Sequence, residues 1–175
     1  MERQSLNNYM RKFWYYLISI ITAPGVVVHE LSHLFFCFFS RVKVHSVKFF
    51  QFGQLAGYVY HDEPQHFYQA FLISFGPFII NSGVALFLFS QLRAPYELIQ
   101  LVYLWLAVVI GLHAIPSTGD AKSLFTTANR KVWRNPVILI SYPIILVLYI
   151  LNLLKRLRID ILFVGLLFWL GRFYL

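Results

Sequence analysis

From Phe13 to Ser40 the only residue of formal charge is Glu30, and this long apolar run contains the sequence His29-Glu30-Leu31-Ser32-His33. A helix needs about 20 apolar residues to cross the hydrocarbon of a bilayer. The run is long enough, and further apolar blocks follow at 66–91, 96–112, 136–154 and 159–175. Composition agrees, with 59% of residues hydrophobic, 13% charged and a mean hydropathy of +0.65. Soluble domains average about 45–50% apolar and about 25% charged, so a single domain of this length could not hide so much apolar surface from water. The expected fold class is an all-α membrane protein, a multi-pass helical bundle of about four to six membrane segments.

The formal charge is +8, from 15 Lys and Arg against 7 Asp and Glu. The basic residues cluster in short loops, for example Arg11 and Lys12, Arg130 and Lys131, and Lys155, Arg156 and Arg158. That placement suits the anionic headgroups of membrane lipids, and no nucleic-acid partner is expected. Basic residues divide almost evenly between the two sides, so the loop-charge rule assigns neither orientation nor a particular membrane. The single cysteine, Cys37, can form no intrachain disulfide and sits in the apolar run as a small hydrophobe. No small-residue cleavage site closes the first block, which is expected to stay in the mature protein.

The pattern predicts one integral membrane domain over 1–175, with a core at 13–132 and two additional membrane helices in 133–175. Proline suits a first helical turn, so Pro24 predicts a break near Thr22 and a motif helix from about Pro24 to Ser40. Residues 41–63 mix the β-formers Val42, Val44, Val47, Phe49 and Val59 with polar residues, Gly53 and Gly57, which predicts a small β-hairpin. Gly76-Pro77 interrupts the next block, and a loop from His113 to Asp120 precedes a short amphipathic helix to about Val132.

Positions i and i+4 share a helix face about 5–6 Å apart, so His29 and His33 can aim their imidazoles at one metal ion. Glu30 is turned about 100° from His29, where it can act as general base on a metal-bound water. Zinc with two imidazoles takes a third protein ligand and leaves one position open. Of the seven carboxylates only Glu30 lies within an apolar run, while Asp120 lies beside the end of one. Ionisable groups at membrane depth are costly and mark function. Asp120 is the leading third ligand, and its plainer alternative is to cap the next helix. His113 is the runner-up ligand, or else a donor to an oxyanion, or an interfacial hydrogen-bonder. Asn81 could hold a substrate backbone or an oxyanion, or join two helices by a hydrogen bond. The hairpin edge carrying Val44, Val47 and Phe49 could receive an unwound substrate segment as an added strand, or simply fill space between helices.

In this order the features resemble the site-2 protease family of intramembrane zinc metalloproteases. The matching residues are His29-Glu30-x-x-His33, the hairpin at 42–60, Gly76-Pro77-Phe-Ile-Ile-Asn81, and His113-Ala-Ile-Pro116-Ser-Thr-Gly119-Asp120. The Gly-Pro to Asn spacing is one residue longer than in the family, and Ala121 stands where the family has Gly. The resemblance implies Zn²⁺ held by His29, His33 and Asp120, and a peptide substrate within or beside the bilayer. The competing expectation is a non-catalytic subunit or assembly factor of a larger membrane complex, its metal site structural or vestigial.

Overall fold

An apolar segment in lipid must satisfy its own backbone hydrogen bonds, and the helix is the simplest way to do so. The computed structural model describes residues 2–53, 56–93, 97–133 and 135–175. Its helices are α1 (Glu2–Phe39), α2 (Phe67–Ser90), α3 (Leu98–Leu112), α4 (Thr118–Lys131), α5 (Tyr142–Leu154) and α6 (Ile159–Phe173). Short 3-10 turns at Pro136–Ser141 and Lys155–Leu157 flank α5. Strands β1 (Val44–Lys48) and β2 (Tyr58–His61) pair antiparallel between α1 and α2, with a bulge between Val44 and Ser46, so the expected hairpin is present.

The break expected near Thr22 is absent, because α1 runs unbroken through Pro24. Proline removes the N–H that would bond four residues back. Side chains of neighbouring helices bond to α1 carbonyls on either side of this proline. The Trp105 indole donates to the Ile21 carbonyl at 3.2 Å, and the Asn81 amide donates to Gly25 O at 3.4 Å. Helix α1 ends on a Schellman turn, with the Val42 N–H on Cys37 O at 2.8 Å and the Arg41 N–H on Phe38 O at 3.1 Å. Arg41 takes the left-handed conformation that this turn requires, at φ 57°. The turn packs Val42 against Cys37 and Ile73 and aims the hairpin back along α1. There the Tyr15 hydroxyl donates to Gly53 O at 2.8 Å and accepts from its N–H at 3.0 Å.

Helix α2 is the hub of the molecule. Its first half packs against α4 and α5 through Ala70, Leu124, Ala128, Ile145 and Leu148. Its second half packs against α3 and α6 through Ala85, Phe89, Ala107, Val164 and Leu167. Helix α1 crosses α3 at Gly25, where an added Cβ would lie 2.1 Å from Val109 O and 2.5 Å from His113 Nδ1. Only glycine allows that approach.

Apolar side chains face outward, among them Phe35, Phe38, Phe39, Phe87 and Leu98, while His29, Glu30, His33 and Asn81 are buried. Two helical segments, Asn7–Phe39 and Phe67–Ser90, are long and apolar enough to cross a membrane. The segments Ile138–Leu154 and Ile159–Phe173 meet at 114° and add a third if they form one broken span. Helix α3 has 15 residues, and at about 1.5 Å per residue it is shorter than the roughly 30 Å hydrocarbon layer. By length and composition, then, two or three crossings are evident among the described residues, against the four to six expected from the apolar blocks.

The α1–α3 crossing can be tested directly. Gly25→Ala should destabilise the protein by about 1–3 kcal/mol, the usual cost of overpacking. Gly83, whose added Cβ would meet nothing within 4 Å, should accept alanine without loss. Thermal unfolding in detergent compares the two.

Candidate metal centre

His29 and His33 stand one helical turn apart on the inner face of α1, as their spacing requires. Each ring uses Nδ1 to reach a backbone carbonyl, His29 to His113 O at 2.7 Å and His33 to Ile73 O at 2.9 Å. A carbonyl only accepts, so both Nδ1 atoms carry the proton. In the neutral rings both Nε2 atoms therefore present lone pairs, and the Nδ1 bonds to these carbonyls fix tautomer and ring direction.

Both acceptor carbonyls are available for a physical reason. Pro77 has no N–H to give to the carbonyl four residues before it, which is that of Ile73. His113 is the C-cap of α3, where helical carbonyls run out of internal partners. The missing hydrogen bond inside α2 and the end of α3 thus supply the two acceptors that aim the imidazoles.

Asp120 arrives from a third direction. Ser117 caps α4, accepting the Asp120 N–H at 3.2 Å, while Asp120 Oδ2 accepts the Ser117 N–H at 2.8 Å and its hydroxyl at 2.7 Å. This reciprocal capping box starts the helix and fixes the carboxylate. Its oxygens face the imidazoles, with Oδ1 3.4 Å from His33 Nε2 and Oδ2 3.6 Å from His29 Nε2. Burial favours the neutral acid; when the facing His33 and His29 are protonated, their charge and hydrogen bonds outweigh burial and hold the Asp120 carboxyl well below the usual range. The cap of α4 and a carboxylate facing both imidazoles are thus provided by one side chain.

The two Nε2 atoms lie 3.2 Å apart, and one donor atom from each of His29, His33 and Asp120 lies within 4.8 Å of the others. Acceptors converge here with no donor between them. Such a cluster needs a positive charge, either an extra proton on one imidazole or a metal ion.

Glu30 and the three donors line one cavity of about 370 Å³. The Glu30 carboxylate makes no hydrogen bond or ion pair among the described residues. The hairpin closes over it, since a Cβ on Gly57 would lie 2.7 Å from Glu30 Cγ and 3.0 Å from Lys48 O. Glycine is required there to bring backbone so near the acid.

The remaining expected residues lie around this centre rather than in it. His113 lines the cavity but is not one of the three converging donors; its Nδ1 donates to Val109 O at 2.8 Å. That leaves Nε2 an acceptor in the neutral ring, so His113 can donate to an oxyanion only as imidazolium. Its clearer contribution is the carbonyl that holds His29. Asn81 is fully buried behind the cavity, donating to Gly25 O and to Ile110 O at 3.3 Å, and so joins α1, α2 and α3. Val44, Val47 and Phe49 do not line the cavity, and Val44 packs beside Cys37 and Ile73. The strand facing the centre is β2, through Tyr58, Val59 and His61. His45 pairs instead with exposed Asp62 at 2.6 Å, which lowers the acid's pKa. The cavity also has one wall that the apolar blocks did not announce, Lys155.

Comparison of the chain with protein-family models, curated proteins and solved structures finds no match.

The role of Pro77 can be tested at His33 itself. Pro77→Ala restores an N–H that competes for Ile73 O. In ¹⁵N-histidine NMR spectra, His33 should be the Nδ1–H tautomer in the wild type and a tautomer mixture in the variant. An unchanged His33 signal would show that the freed carbonyl is not what aims the ring.

Proposed function

We propose that the chain is an intramembrane zinc metalloendopeptidase of the site-2 protease type, hydrolysing peptide bonds of membrane-embedded or membrane-adjacent proteins. The observation that carries the reading is the convergence of two Nε2 lone pairs and a carboxylate beside a free glutamate, inside an otherwise apolar bundle. Donor chemistry fits zinc, which takes imidazole and carboxylate ligands at about 2.0–2.2 Å. Tetrahedral bonds of that length put ligand atoms about 3.3 Å apart. The separations here are 3.2, 3.4 and 3.6 Å, the last two reaching different oxygens of Asp120.

His29, His33 and Asp120 would hold the ion, which supplies a Lewis acid for the scissile carbonyl and lowers the pKa of water. The other steps belong to the protein. Glu30, unpaired and facing the cavity, takes the proton of the attacking water and returns it to the leaving amine. The carbonyls of His113 and Ile73 keep both imidazoles in the ligating tautomer while charge develops. The apolar walls, Val26, Ala70 and Ile73 among them, limit the water that reaches the site. A structural metal site would share the ligands but would not need the free carboxylate of Glu30.

The test separates binding from turnover. Purified protein should carry about one zinc per chain, and a chelator should abolish cleavage of a co-reconstituted transmembrane substrate. Glu30→Gln should keep its zinc and lose about 10²–10⁴-fold in rate, the usual worth of a general base. Absence of metal in the wild type, or undiminished cleavage by Glu30→Gln, would overturn the proposal.

A further inference from the structure

The C-terminal end of α5 grips the segment that presents Asp120. Between α3 and α4 the chain passes through Ala114, Ile115 and Pro116, all buried. Proline at 116 removes one donor, and the carbonyls of Ile115 and Pro116 sit outside any helical ladder. Buried carbonyls need partners, and here they come from across the molecule. Asn152 donates from Nδ2 to Pro116 O at 2.8 Å and accepts the Thr118 hydroxyl on Oδ1 at 3.1 Å. Lys155, just past the end of α5, donates from Nζ to Ile115 O at 2.6 Å and to Pro116 O at 3.3 Å. Four contacts from two side chains thus hold Ile115, Pro116 and Thr118, just before Asp120.

This segment carries two parts of the centre at once. His113, which leads into it, supplies the carbonyl for His29, and Ser117 and Asp120 form the capping box. A shift of the segment would move the carboxylate and the His29 acceptor together. Lys155 also lines the cavity, so a cation stands at the wall of the site without being one of its converging donors.

We propose that Asn152 and Lys155 are positioning residues that set Asp120 against His29 and His33. The end of α5 and the turn after it, which lie beyond the resemblance to a protease core, are then part of the site. The inference rests on the metal reading above and adds to it the source of the third ligand's geometry.

Zinc affinity of the full-length chain in detergent, measured by chelator competition, tests this. Asn152→Leu and Lys155→Met should each weaken zinc binding by about 10–100-fold, the range for loss of an outer-shell partner. Lys155→Arg, which keeps a charged donor, should recover most of the affinity, a rescue that mere space filling would not give. Cobalt-loaded Asn152→Leu should also show an altered visible ligand-field spectrum, because the carboxylate is displaced. If either large change unfolds the protein, Thr118→Val removes one exposed contact and should still weaken binding severalfold. Wild-type affinity and spectrum in folded Asn152→Leu, Lys155→Met and Thr118→Val would overturn the inference and leave the metal reading standing. A wild type that binds neither zinc nor cobalt would overturn both.

Discussion

Two imidazole N–H groups held inside an apolar bundle must find acceptors, and they find carbonyls that two other helices cannot use themselves. His33 takes Ile73 O, left without a helical donor by Pro77, and His29 takes His113 O at the end of α3. An unpaired buried polar group costs about 1–3 kcal/mol, so these bonds constrain the packing of α1 on α2 and α3 as much as they orient the rings. The geometry of the centre follows. With Nδ1 committed to a carbonyl, each neutral ring has only Nε2 left, and both Nε2 atoms meet the carboxylate of Asp120.

The same economy recurs around the site. Asp120 Oδ2 caps α4 while facing His29, so helix initiation and the candidate ligand depend on one side chain. Asn81 spends its amide on carbonyls of α1 and α3, near the place where Gly25 lets those helices touch. Pro77 leaves Ile73 O to His33, and near the other two prolines side chains from elsewhere also reach backbone carbonyls: Trp105 at Ile21 O beside Pro24, Lys155 at Ile115 O and Asn152 at Pro116 O. Where bulk water is excluded, such carbonyls need protein donors, so the neighbourhoods of these prolines are sites of tertiary attachment.

Much of the centre was legible in the sequence. The i, i+4 spacing of His29 and His33 fixes a shared helix face, and the scarcity of carboxylates in apolar runs singled out Glu30 and Asp120. The hairpin showed in its β-branched residues and glycines. Less legible was anything depending on partners distant in the chain. Pro24 reads locally as a helix start, yet α1 continues through it, with Trp105 and Asn81 bonded to its carbonyls on either side. Val44, Val47 and Phe49 carry the strand signal, but the Schellman turn at Arg41 sets which strand faces the cavity, and it is β2. Asn152 and Lys155 look like an ordinary polar span end, because their partners lie 34 to 40 residues away. The Pro77 signal was present in principle, since any mid-helix proline frees the carbonyl four residues earlier. Only the fold shows that His33 takes it.

We propose that His29, His33 and Asp120 form one metal centre whose imidazoles are oriented by the carbonyls of His113 and Ile73. Zinc K-edge X-ray absorption on the purified chain tests it most directly. The expected spectrum shows two imidazole nitrogens and carboxylate or water oxygen at about 2.0–2.2 Å, with no sulfur. A protein that holds no zinc after purification and zinc supplementation, a shell without imidazole, or a sulfur shell near 2.3 Å from Cys37 would contradict it.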